Sequence, residues 1–134
     1  MKAEDYINEV VGKPWVNRAE GPDTFDCWGL VIDSFRRVDG IELPQIEGYA
    51  DLSCATGMAA AEGIGSGAYE KCGPQDGAIM TAFYDDILVH VGRCLCGGVV
   101  HAGEGIGVRF NKHRVIKATN QRVEYYKYAS NTAS

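Results

Sequence analysis

The hydrophobic pattern of this 134-residue sequence changes period once, at Gly73-Pro74, and that break leaves few folds open. Before it, over 3–11 and 27–39, apolar residues recur at three- and four-residue steps, the spacing of helices with one buried face. After it come short runs rich in Val, Ile, Phe and Tyr, at 78–83, 87–95, 99–102, 108–110 and 123–128, which read as strands. Helices followed by strands imply an α+β domain in which N-terminal helices pack on a C-terminal antiparallel sheet. The length fits one domain spanning residues 1–134.

Two helices are expected. Over 3–11, Tyr6, Ile7, Val10 and Val11 form one stripe, and Gly12-Lys13-Pro14 stops it. Over 27–39, Trp28, Val31, Phe35 and Val38 share a face, with Thr24 or Asp26 available as N-cap and Gly40 as the residue past the end. A loop carrying Gly21-Pro22-Asp23 separates the two. Residues 41–73 have no sustained period and read as a long surface excursion, with at most one or two helical turns at 58–62. Gly97-Gly98 is a hairpin turn signal between two strands, and the 131–134 tail is expected to be disordered.

The net charge of −5, with Lys and Arg scattered, argues against nucleic acid as a partner. Acidic residues stand where a secretory signal carries its apolar region, and no window reaches the length of a membrane span, so synthesis in the cytoplasm without export is expected and no membrane partner is. Five cysteines (27, 54, 72, 94 and 96) form an odd set, so at least one thiol is free and cysteine chemistry becomes the question.

Cys27 falls in the first turn of the central helix. The unpaired N–H groups and positive dipole end there are expected to lower its pKa, and the same groups can face a developing oxyanion. Free cysteines are more often inert core residues, so position alone does not make Cys27 a nucleophile. It needs a base, and the base needs an orienting group. His90 and His101 lie in neighbouring strand runs, whereas His113, between Lys112 and Arg114, reads as solvated surface. A Gly97-Gly98 turn pairs Cys94 with His101 and puts both histidines on one face, but four residues apart, roughly 13 Å at 3.3 Å per residue. Either a bulge, strong coiling or a longer loop closes that gap, or the group opposite His90, close to Glu104 and Gly105, orients it.

Three blocks resemble the NlpC-type cell-wall peptidases, a papain-like family. They are Gly12-Lys13-Pro14-Trp15 with Phe25-Asp26-Cys27-Trp28-Gly29-Leu30-Val31, then Gly73-Pro74-Gln75-Asp76-Gly77-Ala78-Ile79, then His90-Val91-Gly92 with Val100-His101-Ala102. The resemblance implies a papain-like fold and a cysteine hydrolase that cuts an amide in peptidoglycan stem peptides, at the bond between D-glutamate and the diamino acid. It assigns Cys27 as nucleophile, His90 as general base and acid, and His101 as the orienting group, with no cofactor and no metal. Trp15, where many members have a Tyr, Asp26 and Trp28 are the oxyanion or substrate candidates. Trp28, Arg93 and Cys94 depart from the commoner residues at their positions. The aromatic after the Cys, Gly40-Ile41-Glu42-Leu43-Pro44, and the final strand around Tyr125, Tyr126 and Tyr128 resemble phage-tail members, which implies a virion-borne enzyme with other tail proteins as partners.

Two other readings compete. One is a metal-binding module built from Cys94, Cys96, His101 and His90, against which the Cys-x-Cys spacing argues. The other is a structural tail component that keeps the fold without turnover.

Overall fold

The computed structural model describes residues 1–44, 63–65 and 67–129. The expected turns at 58–62, Cys54 and the 131–134 tail lie outside them. Among the described residues, helices α1 (Ala3–Val10), α2 (Cys27–Ser34) and α3 (His113–Thr119) accompany strands β1 (Tyr69–Cys72), β2 (Ile79–Tyr84), β3 (Ile87–Leu95), β4 (Gly98–Gly103), β5 (Gly107–Lys112) and β6 (Arg122–Tyr128). The strands form one antiparallel sheet in the order β1-β6-β2-β3-β4-β5. The mixed α+β class expected from the change of period is the class observed.

α2 lies on one face of the sheet because its apolar side chains match that face. Trp28, Val31 and Phe35 pack with Ile79, Leu88 and Val91, and Tyr69 and Leu43 close the same cluster. Beside it, Tyr6 and Val10 of α1 join Phe25, Leu30, Leu95 and Val100. The Tyr6 hydroxyl donates to Asp33 Oδ2 at 2.8 Å and ties α1 to α2. Past Ser34 the helix widens into a π-helical segment, Phe35–Asp39, and ends at Gly40 with φ of 69°. The wider turn rotates Val38 away from Phe35, so Val38 packs with the α1 cluster and not on the expected common face.

The 41–73 segment is not simply a surface excursion. Leu43 is buried and Ile41, Ile64 and Ala68 pack against the α2 cluster. Tyr69–Cys72 forms a sheet-edge strand on β6, with Tyr69 opposite Tyr128.

α3 stands where a basic loop is expected. Its seven residues bury one large side chain, Ile116, against Ala82, Cys94, Val99 and Tyr125 on the far face of the sheet, too little apolar surface to leave a periodic signature. His113, one turn earlier, is half-buried and not solvated: its ring meets Tyr125 edge-on at 5.7 Å.

The β3–β4 hairpin corrects the expected register. Its turn residues are Cys96 and Gly97, with φ of 54° and 76°, and Leu95 faces Gly98. Positive φ at both positions is the turn geometry that matches strand twist. Gly98 cannot serve the turn because it is needed in the strand, where a Cβ would come within 2.5 Å of the Phe110 ring. Asp76 Oδ1 accepts from Gly97 N at 2.9 Å and holds the turn. The shift is two residues, so the histidines keep a common face while their offset is halved.

Candidate active site

Asp26 starts α2. Its Oδ1 accepts from Gly29 N at 2.6 Å and its Oδ2 from Arg18 N at 2.7 Å, which satisfies one orphan amide of the helix end and anchors the preceding loop. Gly29 is required because a Cβ there would come within 1.9 Å of the Ala19 carbonyl oxygen. The loop and the helix start are thus locked together, and Cys27 sits at that junction.

Continuing the β3–β4 ladder beyond Arg93 opposite Val100 sets His101 across from Gly92. A Cβ at Gly92 would come within 2.9 Å of His101 Cβ, so the glycine lets the two strands carry the histidines close together. His90 lies two positions along, a diagonal neighbour within reach of an aromatic ring. On its other side β3 carries a bulge at Val89, since Ala82 faces His90 while Phe83 faces Leu88. His90 Nε2 and His101 Nδ1 are 2.9 Å apart, with the rings at 79°. His101 Nε2 in turn lies 2.8 Å from Asn111 Oδ1 on β5. Of the two candidates for the partner of His90, His101 is the one within hydrogen-bond distance of it. Glu104 is exposed on the rim and makes no bond to His90.

Cys27 opens α2 and packs in one cluster with Val91, the residue after His90 on β3. It is only 3% exposed. Burial pushes the thiol up to about 12, and the charge of Asp26 acts in the same direction; backbone hydrogen bonds at Val91, Trp28 and Cys27 itself oppose and are outweighed. The expected lowering by the helix end therefore does not hold, because desolvation is the larger effect. Burial pushes His90 down to about 3, helped by His101. His101 is also lowered, by burial first and by Arg109 second, against the hydrogen bond to Asn111. The resting pair is a neutral thiol and a neutral imidazole.

His90, His101 and Asn111 line an open cleft of about 530 Å3 whose rim carries Glu104, Ile106 and Arg109. Trp15 is half-buried and lines a separate hollow of about 380 Å3 with Gly12 and Pro14; the two hollows share Ile106 and Gly107. Asp26 and Trp28 have no surface for a substrate: the first is fully buried and the second packs edge-on to Tyr69 at 6.4 Å. Tyr128 packs on Tyr69 at 5.6 Å, and Tyr126 donates to Glu124 at 3.0 Å. Among the described residues no group of three or more His, Cys, Asp or Glu side chains could hold a metal ion.

Asn111 is the site residue that inspection of the sequence missed. A polar residue one position past the 108–110 strand run, ten positions past His101, was its only signal.

The model of the NlpC/P60 family matches residues 12–133. No curated protein matches the chain. Among solved structures, the NlpC/p60 domain of the peptidoglycan hydrolase SagA aligns with a TM-score of 0.60 and 16% identity, over 93% of this chain and 94% of that one. NlpC2 from Trichomonas vaginalis aligns with a TM-score of 0.61 and 24% identity over 94% of this chain. A lipoprotein-like protein of the NLP/P60 family from Staphylococcus aureus aligns with a TM-score of 0.58 and 20% identity over 96%. The alignment covers 45% of the Trichomonas chain and 41% of the Staphylococcus chain. With the family model covering nearly all of the sequence and these structures sharing its fold, the chain belongs to the NlpC/P60 family.

Proposed function

We propose that the protein is a cysteine hydrolase that cuts an amide bond in peptidoglycan stem peptides. The observation that carries this reading is the hydrogen bond between His101 and His90, the latter on the strand against which the Cys27 end of α2 packs. Family membership supports the substrate class.

In the proposed reaction the Cys27 sulfur attacks the amide carbonyl carbon while its proton passes to His90, forming the carbon–sulfur bond. His90 then gives that proton to the leaving nitrogen as the carbon–nitrogen bond breaks. Water attacks the thioester, losing a proton to His90; that proton returns to sulfur and the carboxylic acid product leaves. His101 keeps the His90 ring in place and stabilises it while it is protonated. A general-base route suits the neutral resting pair, because the thiolate need exist only as the bond forms.

The scissile bond between D-glutamate and the diamino acid, and carriage on a phage or prophage tail, complete the proposal. The latter rests on Trp28 after the Cys, on Gly40 to Pro44 and on the last strand. Tryptic mass spectrometry of purified virions tests it: peptides of this chain must be present at a stoichiometric level. A second reading, a silent scaffold of the same fold, is favoured by the enclosure of Cys27. Digestion of purified peptidoglycan separates the two. Soluble muropeptides appear with wild type and not with Cys27→Ala if the protein is a hydrolase, and with neither if it is a scaffold.

A further inference from the structure

We propose that Asn111 is a positioning residue that sets the direction of proton bonding through His101 and so leaves Nδ1 of His90 bare to act as the base. This rests on the reading of His90 as the base.

A carboxamide oxygen can only accept, so the Oδ1 of Asn111, 2.8 Å from His101 Nε2, requires the proton of His101 on that nitrogen. A neutral imidazole has one N–H, so His101 Nδ1 is then a lone pair. That lone pair is 2.9 Å from His90 Nε2, which must be the donor. His90 therefore carries its single proton on Nε2, and Nδ1 is left without one. Burial of both rings disfavours a second proton on either, which would break the one-way order.

The order has a single opposite. If the amide turned over, its NH2 would donate to His101 Nε2, His101 Nδ1–H would donate to His90, and His90 would hold its proton on Nδ1, where no base remains. Three side chains on three neighbouring strands thus share one polarity, and only the Asn111 end lacks a ring to reverse. The strand pairing places it: Asn111 faces Val99 and Arg109 faces His101, so β5 delivers the amide beside the imidazole through backbone register.

The test is the nitrogen-15 imidazole spectrum of the full chain at pH 7, read with the pH profile of peptidoglycan digestion, for wild type, Asn111→Asp and Asn111→Leu. In wild type, His90 and His101 should each be protonated at Nε2 and bare at Nδ1. Asn111→Asp keeps an acceptor of the same shape, so both assignments should persist, with the acid limb of kcat/KM moved to higher pH by the new charge. Asn111→Leu removes the acceptor, so a His90 Nδ1–H signal should appear and kcat should fall about 100-fold, the scale of a lost general base, with KM little changed. Wild-type His90 protonated at Nδ1, or an Asn111→Leu protein with unchanged tautomers, overturns the assignment. If the wild type does not cut peptidoglycan yet its tautomers follow this pattern, the positioning role stands and the hydrolase reading falls.

Discussion

At the scale of single residues, desolvation outweighs the helix end at Cys27. A half-charge at a terminus contributes at most about 2 kcal/mol to a favourable ion, whereas a fully enclosed thiolate loses several times that in hydration. The thiol is therefore held in reserve as the neutral form, and its reactivity depends on access. Among the four described cysteines, native-state alkylation with iodoacetamide should modify Cys96 first, since it is exposed at the β3–β4 turn, and half-buried Cys72 next. Cys27 and Cys94 should lag both by at least tenfold until denaturant is added, as read from peptide masses over time. Immediate labelling of Cys27 would contradict its enclosure. Asp26 was legible in the sequence as a cap because an acidic residue before an apolar period has few other uses. Its exclusion from substrate contact was not, since burial depends on the loop that Arg18 and Ala19 bring over it.

At the scale of elements, the joint between α2 and the sheet turns on Arg93, one of the residues that depart from the family pattern. It is 2% exposed, yet its charge is answered: Nη2 meets Asp39 at 2.5 Å, Nη1 meets Ser34 at 3.1 Å, and Nε donates to the Gly77 carbonyl at 3.0 Å. Its guanidinium also lies 3.5 Å over the Phe35 ring. One side chain thus pins the π-helical end of α2 to β3, the strand that carries His90. Arg93→Ala should lower unfolding free energy by about 3 kcal/mol in urea titration, because it leaves a cavity and a carboxylate without its cation. A loss under about 1 kcal/mol would show that the clamp is not needed. The central helix was readable because Trp28, Val31 and Phe35 recur at three- and four-residue steps behind a candidate cap. The β3–β4 register was not, because Cys96-Gly97 and Gly97-Gly98 are both plausible turns, and only the approach of Phe110 to Gly98 decides between them.

At the scale of the molecule, two half-buried imidazoles held in neutral form tie the stability of the whole fold to pH. An unfolded histidine takes up a proton near pH 6.5, whereas folded His90 does so only near 3. Between those values the unfolded chain binds more protons, so stability is fully present above about pH 6.5 and is lost as pH falls toward 3. The slope attributable to His90 approaches about 1.4 kcal/mol per pH unit, and His101 adds in the same direction. Midpoints of urea unfolding between pH 7 and pH 4 should fall accordingly, and His90→Gln should flatten the dependence; equal slopes would show that His90 titrates normally in the fold. The overall architecture followed from the break at Gly73-Pro74. α3 and β1 did not, because each buries too few side chains to write a period into the sequence.

The claim on which the rest depends is that Cys27 forms a covalent bond to the substrate acyl group. Intact-protein mass spectrometry, on protein quenched in acid seconds after mixing with a purified stem tetrapeptide, tests it directly. The account predicts an added mass equal to the acyl fragment, mapped to the Cys27 peptide, absent from Cys27→Ala and slow to form in His90→Ala. Product release from wild type without any such adduct, and undiminished release from Cys27→Ala, would contradict it.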